Sequence, residues 1–277
     1  MTSPRPPMTP ADVGRFYDQM GPFLAALLGD SIHVGYWSSP EDPSSGTEAQ
    51  ERLTEMMIQR ARVGPGQRLL DIGCGTGWPA IRLAQATGCS VTGISVSAQQ
   101  VEQANARAHK HGVSGQVHFQ CADAMELPFA DASFDAVWAF ESLLHMPDRA
   151  QVLRHAFRVL RPGGALALTD VTEPHPLADD ERMLAYSGLM IASLLRFQDY
   201  APLVESVGFT VQESLDITPN TRKSMVGTDT LIVQQQDQIG GAYGAQFHAM
   251  TLDLWPKIAA IFTDKLGYLL LAATKPA

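Results

Sequence analysis

The chain has 277 residues, 45% of them apolar, and a formal net charge of −9. That length suits one domain with insertions or two small ones, with apolar residues enough for a core. The acidic balance argues against nucleic acid as a partner, which wants a basic face, and against an anionic membrane surface.

The three cysteines, Cys74, Cys89 and Cys121, form no C-x-x-C pair and sit in or beside apolar runs. They read as reduced core thiols of a cytoplasmic protein. The opening MTSPRPPMTP has no apolar signal core, so export is not expected, and no apolar stretch reaches membrane-spanning length. With four prolines, residues 1–10 read as disordered.

Residues 11–28 have helical spacing: Val13, Phe16, Tyr17 and Met20, then Phe23, Leu24, Leu27 and Leu28. Gly21-Pro22 is expected to break them into two helices. An aromatic stretch, His33 to Trp37, follows in an irregular setting, then a polar loop over 38–46. Thr47, with Gln50 three residues later, is expected to cap a helix running to Arg62. Gly64-Pro65-Gly66 turns the chain into RLLDIGCGTGWP at 68–79, which reads as strand, glycine-rich turn and helix start.

Strands and helices then alternate. Strands fall near 67–72, 90–95, 116–120, 135–140, 164–170 and 209–215, helices near 78–87, 98–111, 148–160 and 199–207. The final GYLLLAATKP is a seventh strand. Alternation at this spacing implies right-handed crossovers and a parallel sheet covered on both faces. Segments 171–198 and 217–266 interrupt it and read as a helical cap. The organisation expected is therefore an N-terminal helical lid (1–62), a ligand-binding half of the core (63–170), and the last strands with their cap (171–277).

The glycine turn asks for a ligand. Glycines let the backbone turn tightly and approach a ligand closely, and the carboxyl end of the first strand is where open α/β sheets bind one. Gly75 to Ala80 fits a dinucleotide G-x-G-x-x-A, but Ser95 stands where the acid for the ribose would fall. No Gly-Lys-Ser/Thr follows, which excludes a Walker loop. What remains is an acid directly on a strand before three alternating glycines: Asp71, Gly73, Gly75, Gly77.

This resembles the first motif of the class I S-adenosylmethionine methyltransferases. CADAMELPF at 121–129, SFDAVWAFESLLHMPD at 133–148 and LRPGG at 160–164 extend the likeness. Together they resemble the small-molecule O-methyltransferases of actinobacterial natural-product pathways, those acting on the rebeccamycin sugar and the rifamycin ansa bridge especially. The resemblance implies a doubly wound, mostly parallel α/β Rossmann-like sheet of seven strands, the last antiparallel. It implies S-adenosylmethionine as cofactor. Gly73, Gly75 and Gly77 would cradle its methionine part, with Asp71 beneath, ordering the loop and the amine. Ser95 and Gln100 are the ribose candidates, Asp123 with the Ala124 N–H the adenine candidates. Ala139 and Phe140 would offer backbone at the fourth strand's end, and His33, Tyr36 and Trp37 fit a lid over the methionine.

Methyl transfer from a sulfonium is an in-line displacement in which the protein aligns and dehydrates. An oxygen nucleophile must usually lose a proton, and histidine is the usual base. His145 lies just beyond the fourth strand, with Glu141 four residues earlier and Asp170 ending the fifth, and these three are the catalytic candidates. The relatives carry two adjacent histidines, LHHMPD, where this chain has Leu144 at the first. That makes the pocket more apolar and turns the acceptor from a sugar towards a phenol, enol or prenyl-like compound. Met183, Leu184, Tyr186, Met190, Leu194, Leu195 and Phe197 supply matching apolar bulk. The remaining histidines are scattered with no carboxylate cluster, so no metal site is expected.

The expected activity is metal-independent O-methylation of a bulky natural product. C-methylation, or a cyclase that only binds the cofactor, are the alternatives. The expected partner is that small molecule, with a possible homo-oligomer through the N-terminal helices.

Overall fold

The computed structural model describes residues 8–29 and 31–277. In chain order the elements are α1 (Pro10–Leu28), α2 (Gly46–Ala61), β1 (Arg68–Ile72), α3 (Trp78–Thr87), β2 (Ser90–Ser95), α4 (Ala98–Lys110), β3 (Val117–Cys121), β4 (Phe134–Phe140), α5 (Arg149–Val159) and β5 (Leu160–Thr172). There follow α6 (Asp179–Gly188), α7 (Phe197–Ser206), β6 (Thr210–Asp216), α8 (Thr218–Thr221), α9 (Thr228–Gln234), α10 (Gln236–Tyr243), α11 (Ala245–Asp264) and β7 (Gly267–Thr274).

One seven-stranded sheet runs in the order β3-β2-β1-β4-β5-β7-β6. The first five strands are mutually parallel, and β7 lies antiparallel between β5 and β6. This is the doubly wound fold expected. Central strands have both faces covered, so they read as nearly continuous apolar runs. Leu69, Leu70 and Ile72 of β1 and Leu269 to Leu271 of β7 are fully buried accordingly. One face packs Leu53, Met57, Ile81 and Leu83 of α2 and α3. The other packs Val152, Leu153, Tyr200 and Val204 of α5 and α7. A third cluster joins Phe23, Leu24 and Leu27 of α1 to Ile232 of α9 and Trp255 of α11. Strand order reverses at β1 and β4, and the site lies at the carboxyl ends there.

The N-terminal region differs from expectation. Residues 1–7 of the stretch expected to be disordered lie outside the described residues. From Thr9 the chain is ordered, Thr9 and Asp12 forming a reciprocal cap. Helix α1 is single, with Pro22 inside it. An interior proline costs about 3 kcal/mol. Burying Phe23, Leu24 and Leu27 contributes roughly 1.5–3 kcal/mol each, which outweighs that. Those residues pack against α9 and α11 of the same chain. Helix α2 is capped by Ser45 with Glu48, two residues earlier than expected. Gln50 does something else. Its buried amide donates to the carbonyls of Leu28, Ser31 and His33 and fixes the path between α1 and α2.

Cys74 and Cys89 are buried, but Cys121, at the end of β3, is exposed. Among the described residues no helix is long and apolar enough to cross a membrane.

Candidate active site

The turn after β1 is held by its own backbone. The N–H groups of Gly73 and Cys74 both donate to the Ile94 carbonyl, at 3.0 and 2.9 Å. Gly73, Gly75 and Gly77 all have positive φ, +80°, +52° and +81°, which glycine adopts without steric cost. Their surroundings differ. A Cβ on Gly73 would lie 2.4 Å from Ser142 Cβ, and one on Gly77 would lie 2.6 Å from the Phe119 ring. A Cβ on Gly75 would meet nothing within 4 Å. Gly73 and Gly77 are therefore closely packed against neighbours, and the middle glycine faces open space.

That space is a cavity of about 810 Å³, lined by Gly73, Gly75, Ser95, Gln100, Asp123 and Ala124 among others. The Ser95 hydroxyl donates to Gln100 Oε1 at 2.9 Å, and Ser97 caps α4 at the Gln100 N–H. Asp123 Oδ1 accepts from the Met125 N–H at 2.8 Å, the cap of a short 3-10 turn. Phe140, Glu141, Ser142 and His145 from the exit of β4 close one side, and Val13 and Tyr17 of α1 lie across from them. Asp71 does not reach the cavity. It is buried beneath the loop, in register with Gly93 and Trp138 on its neighbours. Its Oδ1 has no hydrogen-bond partner, and burial pushes the carboxyl up to about 7.

At the far end stands His145. Its Nδ1 lies 2.8 Å from the Met190 carbonyl, which can only accept, so Nδ1 carries the proton. Nε2 is then the acceptor, and the Tyr17 hydroxyl donates to it at 2.7 Å. Burial holds the imidazole down to about 4, with the Arg149 charge adding to the effect. The histidine is neutral and its basic nitrogen is turned towards the cavity.

Glu141, with the unusual φ of +51°, accepts from the Tyr268 hydroxyl at 2.5 Å and the Val34 N–H at 3.0 Å. Burial pushes it up to about 7. A second, apolar cavity of about 570 Å³ adjoins, walled by Phe16, Leu24, Leu144, Val171, Ile191 and Phe262 among others. Tyr17, Ile32, Glu141 and His145 line both cavities.

Other candidates stand elsewhere. Gly77 and Ala139 are packed behind the cavity wall. Tyr36 packs against the core, and the Trp37 indole donates to the Ser44 carbonyl, away from the cavity. His33 stacks on Phe140 at 4.1 Å and lines a separate space of about 1090 Å³ that also touches Glu141. Asp170 corrects the catalytic assignment. It is completely buried, accepts from Tyr200 at 2.5 Å and pairs with buried Arg149, and so is closed to a substrate. Sequence reasoning missed Tyr17 as a polar partner, because it sits among the apolar residues of α1, where its spacing is indistinguishable from core.

The arrangement suits a cationic cofactor. Among the described residues the linings of the two cavities contain carboxylates but no lysine or arginine, and the loop above the buried Asp71 carboxyl leaves room at Gly75. Among the described residues no cluster of histidine, cysteine and carboxylates could hold a metal.

Comparisons with known proteins agree. Residues 70–168 match the family described as a methyltransferase domain. The chain is 41% identical to the 27-O-demethylrifamycin SV methyltransferase of Amycolatopsis mediterranei, over the whole of both chains. It is 38% identical to the (+)-O-methylkolavelool synthase of Herpetosiphon aurantiacus, covering 96% of this chain and 94% of that one. Among solved structures, the 4+2 cyclase SpnF superposes with a TM-score of 0.84 at 33% identity, covering 99% and 100% of the two chains. The chain belongs to the class I methyltransferases that use S-adenosylmethionine.

Proposed function

We propose that this enzyme methylates a hydroxyl group of a bulky, apolar, uncharged natural product, with His145 as the base. The observation that carries the reading is the meeting of two cavities at one neutral histidine: an acidic one beside the glycine loop and an apolar one beneath the cap. Two relatives whose names describe O-methylation of a natural product support it.

In this reading Gly73 and Gly75 cradle the methionine end of the cofactor. The Asp71 carboxyl beneath favours its cationic character, Ser95 with Gln100 takes the ribose, and Asp123 with the Ala124 N–H takes the adenine. S-adenosylmethionine, when bound, supplies an electrophilic methyl group on a sulfonium. The apolar cavity excludes water and aligns the acceptor. An acceptor hydroxyl donating to the Tyr17 oxygen loses its proton there as Tyr17 passes its own to His145 Nε2. The imidazolium so formed is disfavoured by burial and sheds the proton to solvent. Helix α1 then acts as a lid, since it brings Tyr17 and Val13 over the site. The same reading keeps the enzyme in the cytoplasm, where its free thiols stay reduced.

The absence of cationic side chains from both linings among the described residues argues for an acceptor without phosphate. The test is to follow S-adenosylhomocysteine release with neutral apolar alcohols and with their phosphorylated counterparts. Release with the neutral compounds supports the reading, and release with the phosphorylated ones alone refutes it. A cyclase that only binds the cofactor is the second reading, favoured by the likeness to SpnF. It predicts converted substrate with no S-adenosylhomocysteine.

A further inference from the structure

We propose that the loop from Leu189 to Leu195 sets the tautomer of His145, with Met190 as the positioning residue and Arg149 as the latch. The proposal rests on His145 being the base and concerns what keeps it one.

A neutral imidazole can carry its proton on either nitrogen, and only an unprotonated Nε2 can take a proton at the cavity. Nothing in the His145 turn itself decides this. The carbonyl that does belongs to Met190, 45 residues away in sequence. Met190 is one of four described non-glycine residues with positive φ, at +51°. An L-residue adopts that conformation at a cost, and the surrounding structure must hold it there.

The surroundings do so on both sides. The Leu189 N–H ends α6 on the Ala185 carbonyl, and the Ile191 N–H donates to the Tyr186 carbonyl at 3.0 Å. The Ala192 N–H donates to the Leu144 carbonyl at 2.8 Å, tying the loop to the residue before His145. Ser193 is then gripped by Arg149, whose guanidinium donates to the serine hydroxyl at 2.6 Å and to its carbonyl at 2.5 Å. Leu195 completes the tether, accepting from the Glu173 N–H at 2.9 Å.

Asp170 acquires its role here. Its Oδ2 accepts from Tyr200 and from Arg149 Nε, and its Oδ1 from the Val171 N–H at 3.0 Å. The carboxylate orients the guanidinium, the guanidinium holds Ser193, and the loop keeps the Met190 carbonyl on Nδ1–H. The end of β5 thus acts on the base without touching the acceptor.

Two substitutions at one position separate the backbone role from side-chain packing. Met190→Gly removes the side chain and makes the left-handed conformation free of strain. Met190→Ile keeps apolar bulk but is β-branched, for which that conformation is a genuine outlier. The tautomer is read on 15N-histidine-labelled protein from the chemical shifts of the two ring nitrogens. The measurement is made without substrate, so its result stands apart from whether His145 is the base.

Wild type and Met190→Gly are expected to carry the proton on Nδ1. Met190→Ile is expected to populate Nε2–H and to lose kcat roughly tenfold, the low end of what outer partners of a functional histidine are worth, with KM for the acceptor nearly unchanged. A packing role predicts the reverse order, with the glycine variant damaged and the isoleucine variant intact, and that result would overturn the proposal. If the isoleucine variant does not fold, Arg149→Lys carries the test. It keeps a charge beside Asp170 but loses the two-pronged grip on Ser193, and is expected to populate Nε2–H. Protonation confined to Nδ1 there would equally overturn the proposal.

Discussion

The hydroxyl of Tyr17 donates to Nε2 of His145 at 2.7 Å across 128 residues of sequence. The two rings also meet edge to face, with centroids 5.4 Å apart. One residue comes from a helix outside the sheet, the other from the exit of β4, so the pair exists only when α1 is docked. Tyr17→Phe keeps the ring contact and removes the relay oxygen. Single-turnover rates are expected to fall about tenfold, less than for loss of the base itself. An unchanged rate would take Tyr17 out of the proton path.

The pH profile follows from burial. The unfolded value for histidine is near 6.5, and in the folded protein His145 is held down to about 4. Its basic form is therefore complete well below neutrality, and kcat should rise with pH through about 4 and show no further limb from this group. His145→Gln should remove that limb and cost roughly 10²-fold in kcat, the low end for general base catalysis. A histidine limb near 6.5 would contradict the buried, neutral assignment.

Gly75 and Gly77 should fail differently. Alanine at either must adopt a left-handed conformation, at about 1–2 kcal/mol. At 77 the new Cβ also meets Phe119 and Ala104, whereas at 75 it enters open space. Gly75→Ala is expected to fold and to lose calorimetric S-adenosylmethionine binding, Gly77→Ala to lower the urea midpoint markedly. Full cofactor affinity in Gly75→Ala would remove the loop from the cofactor site.

Asp170→Ala should act on stability. It leaves the Arg149 guanidinium buried and unpaired, a loss of about 3–5 kcal/mol in comparable pairs. Urea denaturation measures it directly. An unchanged urea midpoint would contradict the buried Asp170–Arg149 pairing.

The core of the fold was legible because local signals agreed. Apolar runs of strand length, Gly73 to Gly77 and the helix after them all pointed to one element order, and the seven strands follow it, although the fifth starts at Leu160, inside the stretch read as a helix stop and turn. Ser95 and Asp123, at or just past strand ends, and Gln100 in the first turn of α4, which the family resemblance picked out, all line the cavity. What escaped depends on docking. Pro22 should have broken α1, but the packing of Phe23, Leu24 and Leu27 overrides it. Asp170 ends its strand as a catalytic acid would, yet Arg149 and Tyr200 arrive from other elements and bury it. Tyr17 carries no local mark of its partner.

The central claim is that the methyl group arrives on an oxygen of an apolar acceptor beside His145. The most direct measurement is incubation of the purified enzyme with S-adenosylmethionine carrying a deuterated methyl and a panel of neutral terpenoid and macrolide alcohols, with the product read by mass spectrometry and carbon NMR. The account predicts one labelled methyl per product at the chemical shift of a methyl ether, with one S-adenosylhomocysteine formed for each. A label bound to carbon, or a converted substrate with no label and no S-adenosylhomocysteine, would contradict it.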